Sequence, residues 1–465
     1  MKSKFARSIM GKCIFALGFI LLMIGILLSC SSDGTPDEAI TTLLLAWNSD
    51  ENLDGDDNND NDIFFSRSTD RGISWSPTQI LNSTATTDTN GDAFASLLTD
   101  GEGVWVVVWE SNEDFGGADT DLDIFFSRST DDGVTWSDVA HLNTNAADDT
   151  TTTDRQPHIF TDGNGVWIVM WESRGTEIGD NYDILYSRSV DNGASWSAPQ
   201  ILRTNVGTNE EDQRVHTATD SQGTWVTVWR SGEDLENSIG TDRDIVFSRS
   251  VDNGQNWNTP QPINSTAEID GTTSDHRPDL FTDGQGVWVV VWFSGLDIGG
   301  ANTDYDIFFS RSEDNGETWT DTAILNSNAT NTSDDWRPDV MTDGSGTWLA
   351  VWQSYDNYQE AGSDWDIFFS RSTDDGENWS AVQHLNTNAT SDTGEDARPS
   401  IVYIGNDTWI TVWESDEDVN GSQATDDDIL FSRSIDGGVT WSAPQLLNDN
   451  GTSDSGHDQF GYQGE

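Results

Sequence analysis

Residues 127–136 read Ser-Arg-Ser-Thr-Asp-Asp-Gly-Val-Thr-Trp. The pattern Ser-x-Asp-x-Gly-x-x-Trp in that stretch begins at Ser68, Ser129, Ser189, Ser250, Ser312, Ser372 and Ser434, at intervals of 61, 60, 61, 62, 60 and 62 residues. So regular a period makes the repeat the unit of the fold. Each repeat carries the same ordered parts. In the fifth, residues 277–284 pass through an Asp-Gly turn into residues 286–292, and an acidic loop leads to residues 306–312. The Ser-x-Asp-x-Gly turn then delivers the chain to residues 319–325. These are four short runs rich in Val, Ile, Phe and Trp, separated by Gly, Asp and Asn, and no segment keeps a helical period.

The second run is apolar on both faces. Trp288 and Trp292 point one way and Val289 and Val291 the other, because side chains alternate along a strand. A sheet apolar on both faces must sit between neighbours. Seven four-stranded antiparallel sheets packed face to face around an axis make an all-β, seven-bladed β-propeller. The first repeat lacks its first run. Residues 452–458 align with residues 390–396, so residues 458–464 are predicted to complete blade 1 and remove the open edges.

The motif resembles the Asp box of bacterial neuraminidase (BNR) repeats, found in sialidases and many other propellers. The resemblance runs over residues 41–458. It implies blade architecture; in its turn, Ser129 and Asp131 staple the backbone, Gly133 takes positive φ and Trp136 is buried. The seven Ser-Arg-Ser arginines, Arg67 to Arg433, recur in every blade and are expected to be structural, paired with nearby Asp. The Asp boxes and Asp-Gly turns share one rim. The long variable loops lie on the other, where binding sites are expected.

The ends read differently. Residues 2–12 are basic, residues 14–28 are uncharged and apolar, and Leu27-Leu-Ser-Cys30 follows. This is the pattern of a signal peptide over residues 1–29 with lipidation at Cys30, a linker over residues 30–40 and the propeller over residues 41–465. It places the protein in a bacterial envelope, anchored only through its lipid. Cleavage leaves Cys30 as the one cysteine, so no internal disulfide supports the fold. The chain carries 82 acidic residues against 21 Lys plus Arg, a net charge of −61. That charge repels nucleic acid and anionic lipid and favours a soluble monomer or cation binding.

Three constellations could carry function. Sialidases, by the resemblance, hold a sugar carboxylate with three arginines and use a loop Asp as acid/base, with a Glu-assisted Tyr as nucleophile. Arg155, in Arg-Gln-Pro, together with Arg174 and Asp180 match parts of that pattern in blade 3. No Tyr matches the nucleophile. An arginine opens five blades (Arg155, Arg214, Arg277, Arg337 and Arg398), each near an Asp; local salt bridges and anion recognition are both readings of it. Trp336 and Trp365 stand outside the repeat pattern in blade 6, near Tyr355 and Tyr358. They would offer either a sugar-stacking platform or a packing cluster. Finally, Asp50, Asn52, Asp54 and Asp56 with Asp62, and Asp416, Asp418 and Asn420 with Asp428, fit the first half of a calcium loop at neighbouring blades 1 and 7. The function expected is recognition of a glycan or other acidic ligand. An exo-sialidase or related hydrolase is the alternative, and a scaffold binding an envelope protein the third.

Overall fold

The structure is a computed structural model. It describes residues 42–50, 60–85, 91–114, 121–146, 152–175, 178–202, 210–235, 239–240, 242–298, 303–360, 362, 364–391, 393–417, 427–448 and 458–459. The leader, Cys30 and the linker lie outside these residues. Among the described residues no helix is long and apolar enough to cross a membrane.

Seven four-stranded antiparallel sheets follow one another along the chain. Six are built from consecutive strands, as in blade 5: Asp275–Thr282, Trp288–Ser294, Asp306–Ser312 and Ala323–Ile324. Blade 1 takes its first strand from the far end of the chain, where Asp458–Gln459 pairs with Leu43–Ser49. The predicted closure is thus present, over the two residues described. First strands of successive blades touch one another, so they line the axis.

The second strands form the core. In Trp105–Ser111 and Trp288–Ser294 every residue is buried, on both faces. Burying each large apolar side chain contributes about 1.5–3 kcal/mol, and the second strand supplies two such Trp in blades 2 to 7 and one, Trp47, in blade 1.

Three polar devices repeat around the ring. In each box the Ser hydroxyl donates to the Asp carboxylate and accepts the Gly N–H. Asp131 also accepts Thr135 N–H and Oγ1–H, and these bonds hold its carboxyl down at about 2. Asp132 N–H donates to Gly103 O, so box and Asp-Gly turn do share a rim.

Second, six Ser-Arg-Ser arginines reach into the next blade. Arg128 Nε donates to Asn192 O at 2.9 Å, and Arg67, Arg188, Arg249, Arg311 and Arg371 do the same. The expected structural role holds, but the partner is a neighbouring blade's carbonyl rather than an Asp.

Third, an Asn after the fourth strand ties two buried Asp of adjacent blades. Asn326 Nδ2 donates to Asp306 and Asp335, and the same bridge recurs at Asn82, Asn143, Asn264, Asn386 and Asn448. At the closure the bridging Asn448 holds Asp428 and Asp458, and Trp47 Nε1 donates to Asp458 as well. Asp458→Ala should therefore lower stability by about 2–4 kcal/mol, because it leaves two buried donors unpaired. A urea unfolding midpoint measures this; an unchanged midpoint would mean the closure contributes nothing.

Candidate functional site

On the rim opposite the Asp boxes, blades 3 to 6 surround a cavity of about 480 Å³. Arg155, Arg214, Arg230, Arg243, Arg277 and Arg337 line it, with Tyr182, Glu211, Gln213, His276, Phe293, Tyr305 and Trp336. In a chain so acidic, six guanidiniums around one space is the largest departure from its average chemistry.

The backbone explains how they converge. In blades 2 to 7 the first strand breaks register with the second just after its opening Asp, as between His276 and Asp279 or Trp336 and Asp339. The bulged residue has positive φ: Phe94, Gln156, Arg214, Arg277, Arg337 and Arg398 lie between 46° and 61°. Such φ is unfavourable for a branched or bulky residue, and it occurs in six blades, so the blade geometry imposes it. The bulge turns Arg214, Arg277 and Arg337 toward one space. Arg155 is not their equivalent. Gln156 holds the bulge in blade 3, and Arg155 stands one place earlier, level with Gln213, His276 and Trp336.

Below the bulges, the residue after the second Trp of one blade accepts the bulge N–H of the next. Glu110 takes Gln156 N–H at 2.6 Å, Glu172 takes Arg214 N–H at 2.8 Å and Gln353 takes Arg398 N–H at 2.9 Å. Blades 4 and 5 carry Arg230 and Phe293 at that place, and both face the cavity. Glu172 also pairs with Arg155 at 2.9 Å, and Arg398 pairs with Glu414. The opening Asp of blades 5, 6 and 7 (Asp275, Asp335 and Asp396) instead each accept from a bridging Asn.

The electrostatics follow. Burial, then repulsion from Arg337, Arg214, Arg398 and Arg230, presses Arg277 well below the usual guanidinium range. Burial and the Arg243 and Arg214 charges bring Arg230 down to about 10. Burial and four arginines push His276 down to about 3, so it is neutral at physiological pH. Burial raises Glu110, behind Gln156, to about 7. Glu211 is the one carboxylate among the described lining residues, and it sits 3.3 Å from Arg243.

Aromatic rings continue the wall. His276 stacks on Phe293 at 5.1 Å and meets Tyr305 edge-on at 5.6 Å; Trp336 packs on both. Trp336 touches Trp365 at 5.0 Å, and Trp365 touches Tyr355 at 5.5 Å. Trp336 and Trp365 are half-buried and Tyr355 is exposed, so the three form one surface. Tyr358 does not join them; it packs on Phe368 and His384. Arg155 lies 3.5 Å over the Tyr182 ring and Arg174 lies 4.7 Å from it, while Asp180 is exposed and outside the cavity lining. Of the calcium-loop residues, Asn52, Asp54, Asp56, Asp418 and Asn420 lie outside the described residues. Asp50 and Asp416 are described, and Asp62 and Asp428 each give one oxygen to the Asn bridge.

Residues 41–274 match the model of the BNR repeat-like domain. The chain belongs to that family. No curated protein matches this BNR repeat-like chain. Among solved structures, a PL25 ulvan lyase bound to -[GlcA(1-4)Rha3S]- covers 81% of this chain and 88% of its own, with TM-score 0.50 and 13% identity. The Hadza microbial sialidase Hz136 covers 76% and 71%, with TM-score 0.43 and 16% identity. A GH93 α-L-arabinofuranosidase of Fusarium graminearum covers 69% and 88%, with TM-score 0.47 and 14% identity. At these identities the likeness is one of fold, a β-propeller.

Proposed function

We propose that the cavity binds an anionic glycan, one bearing uronate or sulfate groups. The observation that carries this is the set of six arginines around one space, several of them mutually repelling. A guanidinium fork matches a carboxylate or sulfate in two bonds, and the Trp336–Trp365–Tyr355 surface beside it suits the flat face of a sugar. A bound anion would offset the repulsion among these guanidiniums. If the leader acts as read, Cys30 tethers this surface to a bacterial envelope. The test is binding of a uronate- and sulfate-bearing polysaccharide against a neutral one of equal length. Preference for the anionic chain, weakening with salt, is expected; equal binding of both overturns the proposal.

A second reading is supported by one specific observation, the contact of neutral His276 with Tyr305 beside Arg277. This set suits β-elimination at a uronate. The arginines would neutralise the carboxylate, and a basic group would take the C5 proton. The C4–O4 bond would break as the C4=C5 double bond forms, and an acid would return a proton to O4. The uronate-containing ligand of the lyase with this fold is a natural first substrate. Hydrolysis through paired carboxylates draws less support, since the described lining holds only Glu211 and Asp180 lies outside. Ultraviolet absorbance of an unsaturated uronate product, lost in His276→Asn, is the expected result. Cleavage without that chromophore would favour the hydrolase.

A further inference from the structure

The loop that carries Arg243 holds a second group of charges with nothing to do with the arginines. Asp242 and Asp244 flank Arg243, and Asp270 comes from the connection between blades 4 and 5. One carboxylate oxygen from each lies within 4.8 Å of the others. Side chains two apart on an extended chain share a face, so Asp242 and Asp244 point together, away from the cavity that Arg243 lines.

The cluster alone would be unremarked in so acidic a protein. Asp304 and Asp306 hold the same two places in blade 5, with the same orphaned oxygens; only in blade 4, among the described residues, does a third carboxylate, Asp270, join the pair. Asp244 is 0% exposed, and while its Oδ1 accepts from Asn264, its Oδ2 is buried with no hydrogen-bond partner. Both oxygens of Asp242 and both of Asp270 are buried beside it, the Asp270 carboxyl meeting only Thr266 and its own turn. Thr266, 8% exposed, adds a buried hydroxyl oxygen next to the Asp270 carboxyl, which it helps to hold. Buried acceptors are almost always satisfied. Several converging orphans, all oxygens, therefore indicate a missing donor of positive charge.

We propose that Asp242, Asp244 and Asp270, with Thr266 beside them, form a calcium site in blade 4. The chemistry selects the ion. All donors are hard oxygens, with no His or Cys among them, which excludes the usual zinc sets and favours calcium. Asp244 then has two duties, bridging the blades through Oδ1 and holding the ion through Oδ2. The site is separate from those read at blades 1 and 7, and it does not depend on the glycan reading.

The experiment is calorimetric titration of calcium chloride into the chelator-stripped full chain, without any glycan. The wild type should bind calcium at least tenfold more tightly than magnesium. Asp242→Asn/Asp270→Asn should bind one ion fewer, and in chelator it should be at least as stable as wild type, since two crowded charges are gone. Asp270→Asn alone, on a surface connection, provides a folded variant in which affinity at this site falls at least tenfold. Absence of calcium binding in the wild type, or unchanged stoichiometry in the double variant with unchanged affinity in the single one, overturns the proposal.

Discussion

Replacing Arg277 by Met will raise the stability of the protein while weakening its binding of anionic glycan roughly 100-fold. Arg277 is 6% exposed. Every leading influence on its charge is unfavourable: burial first, then Arg337, Arg214, Arg398 and Arg230. Methionine fills a similar volume and removes both the cost of burying the charge and the repulsion from the neighbouring arginines. The same guanidinium sits at the centre of the cavity wall, on a bulge that aims it inward. Loss of its charge-assisted bonds to a bound carboxylate or sulfate, worth about 1.5–3 kcal/mol each, should weaken binding roughly 100-fold. Arg249→Met is the control. Its Nε bonds to Asn315 O on the Asp-box side, so it should lose some stability and keep its ligand. Thermal unfolding and glycan titration of both variants check the pair of effects. If Arg277→Met is less stable and still binds, Arg277 is a scaffold residue. Charge retained against a stability gain is the signature expected of a binding group.

The blade count, the four-strand unit and the closing strand were legible because they rest on repetition. The Asp box states its own bonds: Ser, Asp and Gly at fixed spacing are all the donors and acceptors the turn uses. The Ser-Arg-Ser partner was not legible, since a backbone carbonyl of the next blade has no sequence signature. Arg155 was misaligned because Arg-Gln-Pro resembles Arg-Pro, whereas the bulge places Gln156 with Arg214 and Arg277.

The rest of the cavity wall, Tyr182, Arg230, Arg243, His276 and Tyr305 among it, was missed for a different reason. Its members sit in columns of the repeat where the copies disagree. The residue before the third-strand Asp is Asn61, Leu122, Tyr182, Arg243, Tyr305, Trp365 and Asp427 in blades 1 to 7. The residue after the first-strand Asp is Ala93, Arg155, Gln213, His276, Trp336 and Ala397 in blades 2 to 7. Both columns turn large, aromatic or cationic in blades 3 to 6 and are small, apolar or acidic in blades 2 and 7. Trp365 and Trp336 drew notice as stray tryptophans, but the signal was the column and not the residue type.

Raising the pH from 4 to 8 will destabilise the ring, and Asp339→Asn will remove much of that loss. Under the cavity, Arg277-Pro278-Asp279 and Arg337-Pro338-Asp339 end in two fully buried carboxyls. Asp279 Oδ2 accepts Val340 N–H at 2.7 Å, and Asp339 Oδ2 accepts Ile401 N–H and the Ser400 hydroxyl. His216 Nδ1 lies 3.0 Å from Asp279 Oδ1. Burial raises both carboxyls, and their mutual contact raises Asp279 further; Asp339 is lifted to about 7. The unfolded carboxyls titrate near 4, so the folded state binds more protons between about 4 and 7. The contribution is complete below about pH 4 and is lost as the pH rises through about 7. Asp339→Asn keeps an oxygen for Ile401 and Ser400 and supplies an N–H to Asp279, so the shared proton is no longer needed. Asp339→Ala leaves those donors unpaired and should cost about 2–5 kcal/mol relative to Asp339→Asn at any pH. Urea unfolding at a series of pH values separates the three. The wild type should weaken from pH 4 to 8, Asp339→Asn should follow a flatter line, and Asp339→Ala should follow a line as flat as Asp339→Asn but lower. Identical slopes in wild type and Asp339→Asn would show that both carboxyls stay ionised in the fold, and that the arginine bulges rest on a charged floor.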